Sequence, residues 1–261
     1  MKQKSLKERL ARGEIVLGSW CVIPSPAAVE IIGYSGFDFV IIDSEHGPVA
    51  EEKAQDLVRA AEAAGIASIY RVAGNDPSLI LRALDIGSGG IQVPHVSTEK
   101  EAREVVEAAK YYPGGKRGLS PFTRAARYGL DAQGYTGRAN DRTSVVLNIE
   151  GVEGLKNLRK IVNVPDIDAV FIGPYDLSQS LGKPGQVEDR EVISAIRQSV
   201  KISRARGVAC GSFARDMRYA DILLDCGIRY LTYMVDSAVL LNGYKTAGES
   251  VRKMIARAGI K

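Results

Sequence analysis

Eight short apolar segments alternate with helix-like segments along the chain, and this alternation limits the possible folds more than any other feature. Each apolar segment is bounded by turn residues, and most carry few polar side chains. This pattern is typical of strands that are covered on both faces, as in a parallel sheet. The predicted strands are residues 15–21, 37–43, 66–72, 90–96, 144–149, 168–172, 207–212 and 229–235.

Helix-start signals stand between these strands. Ser5 is expected to cap a short lead-in helix over 5–11. Asp76 precedes Pro77, an arrangement that favours a helix start, and Thr98 with Glu101 forms a capping box. The other predicted helices are 27–33, 51–64, 77–86, 98–110, 154–162, 190–206, 217–226 and 237–258.

Eight strand–helix units in 261 residues are the pattern of a (β/α)₈ TIM barrel. A doubly wound sheet also alternates, but eight regular units without a break favour a closed barrel. We therefore expect residues 1–261 to form one α/β barrel domain. The stretch 111–142 interrupts the rhythm, and because it is longer than an ordinary connection we expect it to be functional or an interface.

Composition excludes several classes of protein. The net charge is +4 and no long basic block is present, so we expect no nucleic-acid partner. The three cysteines are widely spaced and odd in number, which favours reduced, buried thiols. The charged start, residues 1–13, does not resemble a secretory signal, and no apolar run is long enough to span a bilayer. We expect a cytoplasmic protein without a membrane partner.

The segment 37–43 ends in a cluster of polar residues that includes Asp43, Glu45 and His46. In parallel α/β folds the reactive groups lie at the carboxyl ends of strands, so this cluster is a candidate site. Asp43 could orient His46 as a general base. The alternative is that the two carboxylates cap the following helix and His46 is an ordinary loop residue.

Two further carboxylates, Glu150 and Asp176, follow the neighbouring predicted strands five and six. Two carboxylates without a basic partner repel each other unless a cation joins them, and the arrangement suits Mg²⁺ or Mn²⁺. Asn148 shares the face of Glu150, and Gly173 would let backbone N–H groups approach an anionic ligand. The alternative is that both carboxylates only begin helices.

Arg71 closes an apolar strand, where a guanidinium needs an anion. A substrate carboxylate and an internal ion pair with Glu45 are both possible partners. His95 follows Pro94 and is the weaker of the two histidine candidates. We see no Ser-His-Asp or Cys-His nucleophile and no lysine placed for a Schiff base.

The polar strand ends and several other segments resemble the HpcH/HpaI aldolases, which are class II, metal-dependent barrels of the pyruvate/phosphoenolpyruvate group typified by 4-hydroxy-2-oxoheptanedioate aldolase. The likeness extends over almost the whole chain. Asp-x-Glu-His together with Gly-Pro-x-Asp is its most specific part. The segments that carry it are FDFVIIDSEHGP (37–48), YRV (70–72), ALDIG (83–87), KRG (116–118), NIE (148–150) and FIGPYDLS (171–178).

The resemblance implies a role for each matching residue. It makes His46 the general base, Asp85 the group that raises its basicity, and Arg71 the residue that stabilises the enolate. Glu150 and Asp176 would bind a divalent metal, with Mg²⁺, Mn²⁺ and Co²⁺ as the candidates. The residues expected to contact pyruvate or line the site are Trp20, Asp43, Asn148, Gly173 and Tyr175.

The same resemblance predicts the reaction and the assembly. We expect cleavage of a 4-hydroxy-2-oxo acid to pyruvate and an aldehyde, which are the small-molecule partners. We also expect a homo-oligomer, from dimer to hexamer, whose last helix is swapped between subunits. Two alternatives are a citrate-synthase-like condensation on oxaloacetate and a non-catalytic oxo-acid binding protein.

Two departures from the typical pattern bear on the substrate. The typical aldolases carry Gln where this chain has Asn148, which is one methylene shorter. Segments LSPFTRA (119–125) and LGKPGQ (181–186) look closer to a branch that includes a siderophore-pathway citrate synthase.

Overall fold

Eight parallel strands close into a barrel in the order in which they occur along the chain, and β8 pairs with β1 to complete it. The computed structural model describes residues 5–130 and 133–258. The predicted (β/α)₈ barrel is confirmed, while one domain over 1–261 stays a prediction. The strands are β1 Val16–Cys21, β2 Phe39–Asp43, β3 Ala67–Arg71, β4 Gly90–Val93, β5 Ser144–Ile149, β6 Ala169–Ile172, β7 Ala209–Ala214 and β8 Tyr230–Val235.

Helices connect the strands, and their bounds lie close to the predicted ones except in two places. The pattern does not predict α6, which lies in the 111–142 stretch after a 3₁₀ segment (Arg124–Gly129), or the short α8 after β6. The helices are α1 Leu6–Ala11, α2 Pro26–Tyr34, α3 Glu51–Ala63, α4 Pro77–Asp85, α5 Glu99–Ala109, α6 Tyr135–Arg142, α7 Val152–Ile161, α8 Pro174–Ser180, α9 Arg190–Arg204, α10 Met217–Asp225 and α11 Asp236–Arg257.

The helix starts follow their capping residues. Ser5 and Thr98 each form a complete capping box, with Glu8 and Glu101 respectively. Asp76 accepts hydrogen bonds from the first turn of α4. These contacts satisfy backbone N–H groups that would otherwise lack an acceptor, so each connection turns at a defined point.

The core has two layers, one inside the barrel and one between the strands and the surrounding helices. In β2, Phe39 and Ile41 belong to the inner layer, while Val40 and Ile42 pack against helices. The Phe39 ring stacks on that of Tyr230 with ring centroids 4.4 Å apart. Gly18 is required beside it, because a Cβ there would lie 2.2 Å from the Phe39 ring.

The two ends of the barrel differ. All strands point their carboxyl ends to one rim, where the polar cluster that follows β2 lies. The amino-terminal end is closed by α1, whose Leu6 and Leu10 pack on the inner layer. Lys7 on α1 also pairs with Asp168 at the start of β6, with 3.2 Å between nitrogen and oxygen. The stretch 111–142 leads into β5 at this end as well.

The last helix, α11, lies largely outside this packing. It is 22 residues long and buries only Asp236 at its first turn. Seven large apolar side chains on it are 49–73% exposed: Val239, Leu240, Leu241, Tyr244, Val251, Met254 and Ile255. Within the described residues, none of the helices is long and apolar enough to cross a membrane.

Candidate active site

A cavity of about 330 Å³ opens at the carboxyl-terminal rim of the barrel. It is lined by nine of the ten residues to which the resemblance assigns a role. This agrees with the position of ligand sites in barrels of this kind. The nine residues are Trp20, Asp43, His46, Arg71, Asn148, Glu150, Gly173, Tyr175 and Asp176.

Arg71 is held at the floor of this cavity by two carboxylates, of which Asp43 is buried and Glu45 partly buried. The register of β2 and β3 sets Asp43 beside Arg71. The guanidinium donates from Nε and Nη2 to the two oxygens of Asp43, at 2.8 and 2.6 Å, and Nη1 lies 2.8 Å from Glu45. The guanidinium carbon also lies 4.3 Å from the centroid of the Trp20 ring. The ion pair with Glu45, one of the two partners considered for Arg71, is therefore present, and Asp43 makes the stronger, two-pronged contact.

Asp43 also fixes the loop that carries His46. Its Oδ1 accepts hydrogen bonds from the backbone N–H groups of Glu45 and His46, at 3.0 and 3.3 Å. Asp43 thus positions the backbone of His46 and not its ring, which differs from the predicted orienting contact. Gly47 is needed here, because a Cβ at that position would lie 2.4 Å from the Asp43 carbonyl oxygen. The imidazole of His46 is exposed at the wall of the cavity.

Glu150 and Asp176 converge on either side of Gly173. A Cβ placed on that glycine would lie 3.3 Å from Asp176 Oδ2 and 3.3 Å from Glu150 Cγ. Burial is the main cause that raises the pKa of Glu150, and the neighbouring Asp176 carboxylate adds to it. Two acidic groups so close, one of them desolvated, form a suitable pair for a divalent cation.

The donor set is small. Among the described residues, no group of three or more His, Cys, Asp and Glu side chains is arranged to hold a metal ion. A site with two carboxylates fits Mg²⁺ and similar hard ions, which keep several waters and accept substrate oxygens. The residues present therefore fit the predicted metal.

Asp43, Glu45 and Glu150 do not cap the helices that follow them. The N-cap of α3 is Ala50, which makes no side-chain cap, and Asp43 and Glu45 face Arg71 instead. The N-cap of α7 is Gly151, and Glu150 bonds to residues outside that helix. Asp176 does lie in the first turn of α8, where a negative charge is favourable.

A chain of buried hydrogen bonds supports Glu150 from below. Asn148 Nδ2 donates to Glu150 Oε1 at 2.9 Å, and Gln92 Nε2 donates to Asn148 Oδ1 at 2.8 Å. The hydroxyl of Tyr230 donates to Gln92 Oε1 at 3.1 Å. Neither Gln92 nor Tyr230 is predicted from the sequence to belong to the site. The sequence feature that could have identified Gln92 is its amide side chain in the otherwise apolar strand β4.

Replacing Gln92 by leucine is expected to lower the free energy of unfolding by about 1–3 kcal/mol, because the buried polar groups of Asn148 and Tyr230 lose their partner. It should also weaken divalent-metal binding by roughly 10- to 100-fold, since Asn148 no longer holds Glu150 in place. Urea denaturation and Mn²⁺ titration measure the two effects. The matched control is the same change at exposed Gln198. Equal results for the two variants would contradict the role of this chain of hydrogen bonds.

His95 lies close to two of the acidic groups, although the sequence makes it the weaker of the two histidine candidates. Its backbone has a positive φ of 57°, which is uncommon for a residue other than glycine. Nδ1 lies 2.6 Å from Glu150 and Nε2 lies 3.2 Å from Glu45, while the side chain remains 70% exposed. His95 thus connects the carboxylate beside Arg71 with the carboxylate beside Gly173.

Asp85 does not join the other predicted residues. It is the last residue of α4, which runs back toward the amino ends of the strands, and its Oδ1 accepts a hydrogen bond from Arg117 Nη2 at 2.7 Å. The expectation that Asp85 raises the basicity of His46 therefore has no support in the geometry of one chain.

The fold and the site together define a (β/α)₈ barrel with a charged, enzyme-like cavity at its carboxyl-terminal rim. A family model described as HpcH/HpaI aldolase/citrate lyase matches residues 17–243. The chain belongs to this family.

Individual proteins give the same assignment. A pyruvate aldolase from Rhizobium etli is 37% identical over 237 residues, which cover 91% of this chain and 93% of that protein. A 2-keto-3-deoxy-L-rhamnonate aldolase from Klebsiella pneumoniae is 38% identical over 88% of this chain and 86% of its own length. The crystal structure of the citrate synthase SbnG has a TM-score of 0.86 at 34% identity, covering 97% of this chain and 99% of that chain.

Proposed function

We propose that this protein is a divalent-metal aldolase that cleaves a 4-hydroxy-2-oxo acid to pyruvate and an aldehyde and catalyses the reverse addition. The observation that carries the proposal is the convergence of Glu150 and Asp176 beside Gly173, in the same cavity as Arg71 and His46. The relatives named as pyruvate and 2-keto-3-deoxy-acid aldolases support it.

Glu150 and Asp176 would hold the metal, with Mg²⁺, Mn²⁺ and Co²⁺ as the candidates. When bound, such an ion supplies a Lewis acid for the carboxylate and keto oxygens of the oxo acid. Asn148 and the backbone at Gly173 and Tyr175 line the space where the pyruvate part would lie. Each of these groups would orient the oxo acid without a covalent bond to a lysine.

His46 would take the proton from the 4-hydroxyl group during cleavage, directly or through a water molecule. Arg71 would stabilise the negative charge that develops on the oxo acid. A guanidinium has five N–H donors, and the hydrogen bonds with Asp43 use one on Nε and one on Nη2. The donors on Nη1, which lies beside Glu45 as an ion pair, and the second donor on Nη2 would be available to substrate oxygens.

Activity is expected to disappear when divalent ions are removed and to return with Mn²⁺, Mg²⁺ or Co²⁺, because two carboxylates alone cannot stabilise the developing charge. The measurement is pyruvate release and its reversal with a panel of aldehyde acceptors. Full activity in excess chelator would contradict the proposal, as would trapping of the protein on pyruvate by borohydride.

A citrate-synthase-like condensation is the second candidate, because the chain is 34% identical to citrate synthase SbnG over nearly its full length. Assays on the same protein preparation decide between the aldolase and the condensation reaction. Turnover of acetyl-CoA with oxaloacetate, without pyruvate release from any hydroxy-oxo acid, would favour the condensation. Metal-dependent oxo-acid binding without exchange of pyruvate methyl protons would favour a protein that only binds.

We further propose a homo-oligomer in which α11 packs on a neighbouring subunit, as the swapped helix of the family does. Leu241, Met254 and Ile255 are 66%, 65% and 51% exposed in one chain, and a partner would remove this apolar surface from water.

The three cysteines are free and buried, which supports a cytoplasmic location.

Replacing Leu241 by glutamate is expected to weaken subunit association by roughly 10- to 100-fold, since a leucine buried at an interface contributes about 1.5–3 kcal/mol. Sedimentation velocity over a dilution series measures the effect. Lys253→Gln on the same helix, which also lowers the net charge by one unit, is the control for charge. A wild-type protein that sediments as a compact monomer at micromolar concentration would contradict the proposed assembly.

A further inference from the structure

An irregular pairing lies where β8 meets β1, next to the rim cavity. Gly18 pairs with Thr232, whereas Trp20, which is two residues further along β1, pairs with Val235, which is three residues further along β8. The end of β8 therefore holds one extra residue, a β-bulge. Met234 in this bulge has a positive φ of 56°, which is uncommon for a residue other than glycine. Bulges and such conformations both recur beside functional sites.

The bulge redirects the last residues of β8. Side chains alternate between the two faces of a strand, so after the inward-facing Tyr230 and Thr232 a regular strand would also turn Met234 inward. The extra residue gives this place to Val235, which packs on the inner layer and lines the rim cavity. Asp236, the first residue of α11, then faces the loop that follows β1.

Asp236 joins that loop to the start of α11. The residue is only 8% exposed. Oδ1 accepts hydrogen bonds from the backbone N–H groups of Val22, at 3.1 Å, and Ser237, at 2.7 Å, and Oδ2 accepts one from Ile23 at 3.0 Å. Hydrogen bonds to a carboxylate are stronger than those between neutral groups. One side chain thus fixes two segments that are 213 residues apart along the chain.

The loop held by Asp236 continues a wall of the rim cavity, because Trp20 and Val22 both line that cavity. Trp20 Nε1 donates to Thr232 Oγ1 at 2.9 Å, which fixes the indole to β8. The same ring lies over Arg71, with 4.3 Å between the guanidinium carbon and the ring centroid. Asp236 is therefore a second connection between the ends of β1 and β8, and it acts on the residues that follow Trp20.

We propose that Asp236 is a positioning residue of the rim site, which holds the wall formed by Trp20 and Val22 against the start of α11. Without this carboxylate the N–H groups of two successive loop residues lose their acceptor, and the loop can move away from β8. The indole then loses its fixed position over Arg71, although no atom that touches substrate has changed. The role in substrate binding rests on the proposed function, whereas the position of the wall does not.

The first measurement is acrylamide quenching of the intrinsic fluorescence of the assembled protein. Trp20 is the only tryptophan in the chain, so its accessibility is read without a contribution from another indole. Asp236→Asn keeps the size of the side chain but loses the charge and one acceptor oxygen, and we expect it to raise the quenching constant roughly 2-fold. Asp236→Ala removes both acceptors and should raise it further. Quenching equal to that of the wild type in both folded variants would overturn the proposal.

Asp225→Asn is the matched control, because Asp225 is exposed at the end of α10 and the change in charge is the same. It should leave the quenching constant unchanged, and an equal rise there would refute a local effect. Denaturant unfolding is measured on the same proteins. If the Asp236 variants lost stability without a change in quenching, the carboxylate would only support the first turn of α11, and the proposal would be wrong. If Asp236→Ala does not fold, Asp236→Asn decides alone.

Kinetics test the connection with the site. Asp236→Asn is expected to lower kcat/KM for cleavage of a 4-hydroxy-2-oxo acid by roughly 10-fold, because a displaced wall misplaces the substrate relative to Arg71. A rise in quenching with unchanged kcat/KM would refute the positioning role. A wild-type protein without lyase activity would contradict the proposed function instead, and the quenching of Trp20 would still decide whether Asp236 holds the wall.

Discussion

Replacing Arg71 by alanine is expected to lower the rate of aldol cleavage by roughly 10²-fold or more. The guanidinium lies at the floor of the rim cavity, pinned by Asp43 and Glu45 and covered by the Trp20 ring. Few other hydrogen-bond donors are placed to stabilise negative charge that develops there, so the loss of Arg71 should lower mainly kcat. Rates of cleavage and of pyruvate methyl proton exchange, at saturating metal, measure the effect.

Arg71→Lys is the informative companion, because an ammonium cannot hold Asp43 through two parallel hydrogen bonds and also contact Glu45. We expect it to recover less than the full rate. The alanine variant also leaves the buried carboxylate of Asp43 without its cation, which should cost about 3–5 kcal/mol of stability. Denaturant unfolding of each variant separates this effect from catalysis. An alanine variant with the wild-type rate would show that Arg71 has only the structural role.

The barrel could be predicted because each strand–helix unit has local signals. Apolar runs buried on both faces, capping boxes at Ser5 and Thr98, and Asp76 before Pro77 each depend on residues close in sequence. Helix α8 has seven residues and begins at a Gly-Pro turn, so it offers too little periodicity for the same argument. Helix α6 is similarly weak, since Tyr135 is its only buried residue.

The site could be predicted for residues whose place depends only on their position at the carboxyl end of a strand. The carboxyl ends of parallel strands meet at one rim, so the residues that follow the strands gather there. The contacts between them were not predictable in the same way. Gln92 reaches Asn148 across 56 residues of chain, and only the register of β4 with β5 brings the two together.

Asp85 is the predicted site residue that a single chain places away from the rim. Its assignment came from the resemblance to the aldolases, whereas helix direction sends the end of α4 to the amino-terminal face, where Arg117 holds it. The 111–142 stretch is expected from its length to be functional or an interface, but the sequence pattern alone does not show at which end of the barrel it lies.

His46→Ala is expected to lower aldol cleavage by roughly 10²- to 10⁴-fold, the usual range for loss of a general base. His46 lines the rim cavity, and its backbone is fixed by Asp43, so the imidazole is held near the substrate space without a second partner being needed for placement. Binding of Mn²⁺ and of pyruvate should change little, because neither proposed metal ligand contacts this ring in the described structure.

The comparison that decides the base is with His95→Ala. His95 lies 2.6 Å from Glu150 and 3.2 Å from Glu45, so its loss should act through the carboxylates and alter metal affinity. Cleavage rates and Mn²⁺ dissociation constants of both variants, measured side by side, separate the two roles. If His95→Ala lost more rate at saturating metal than His46→Ala, the proton transfer would belong to His95. If both retained the wild-type rate, neither imidazole would be the base, and the proposed path for the 4-hydroxyl proton would have to be abandoned.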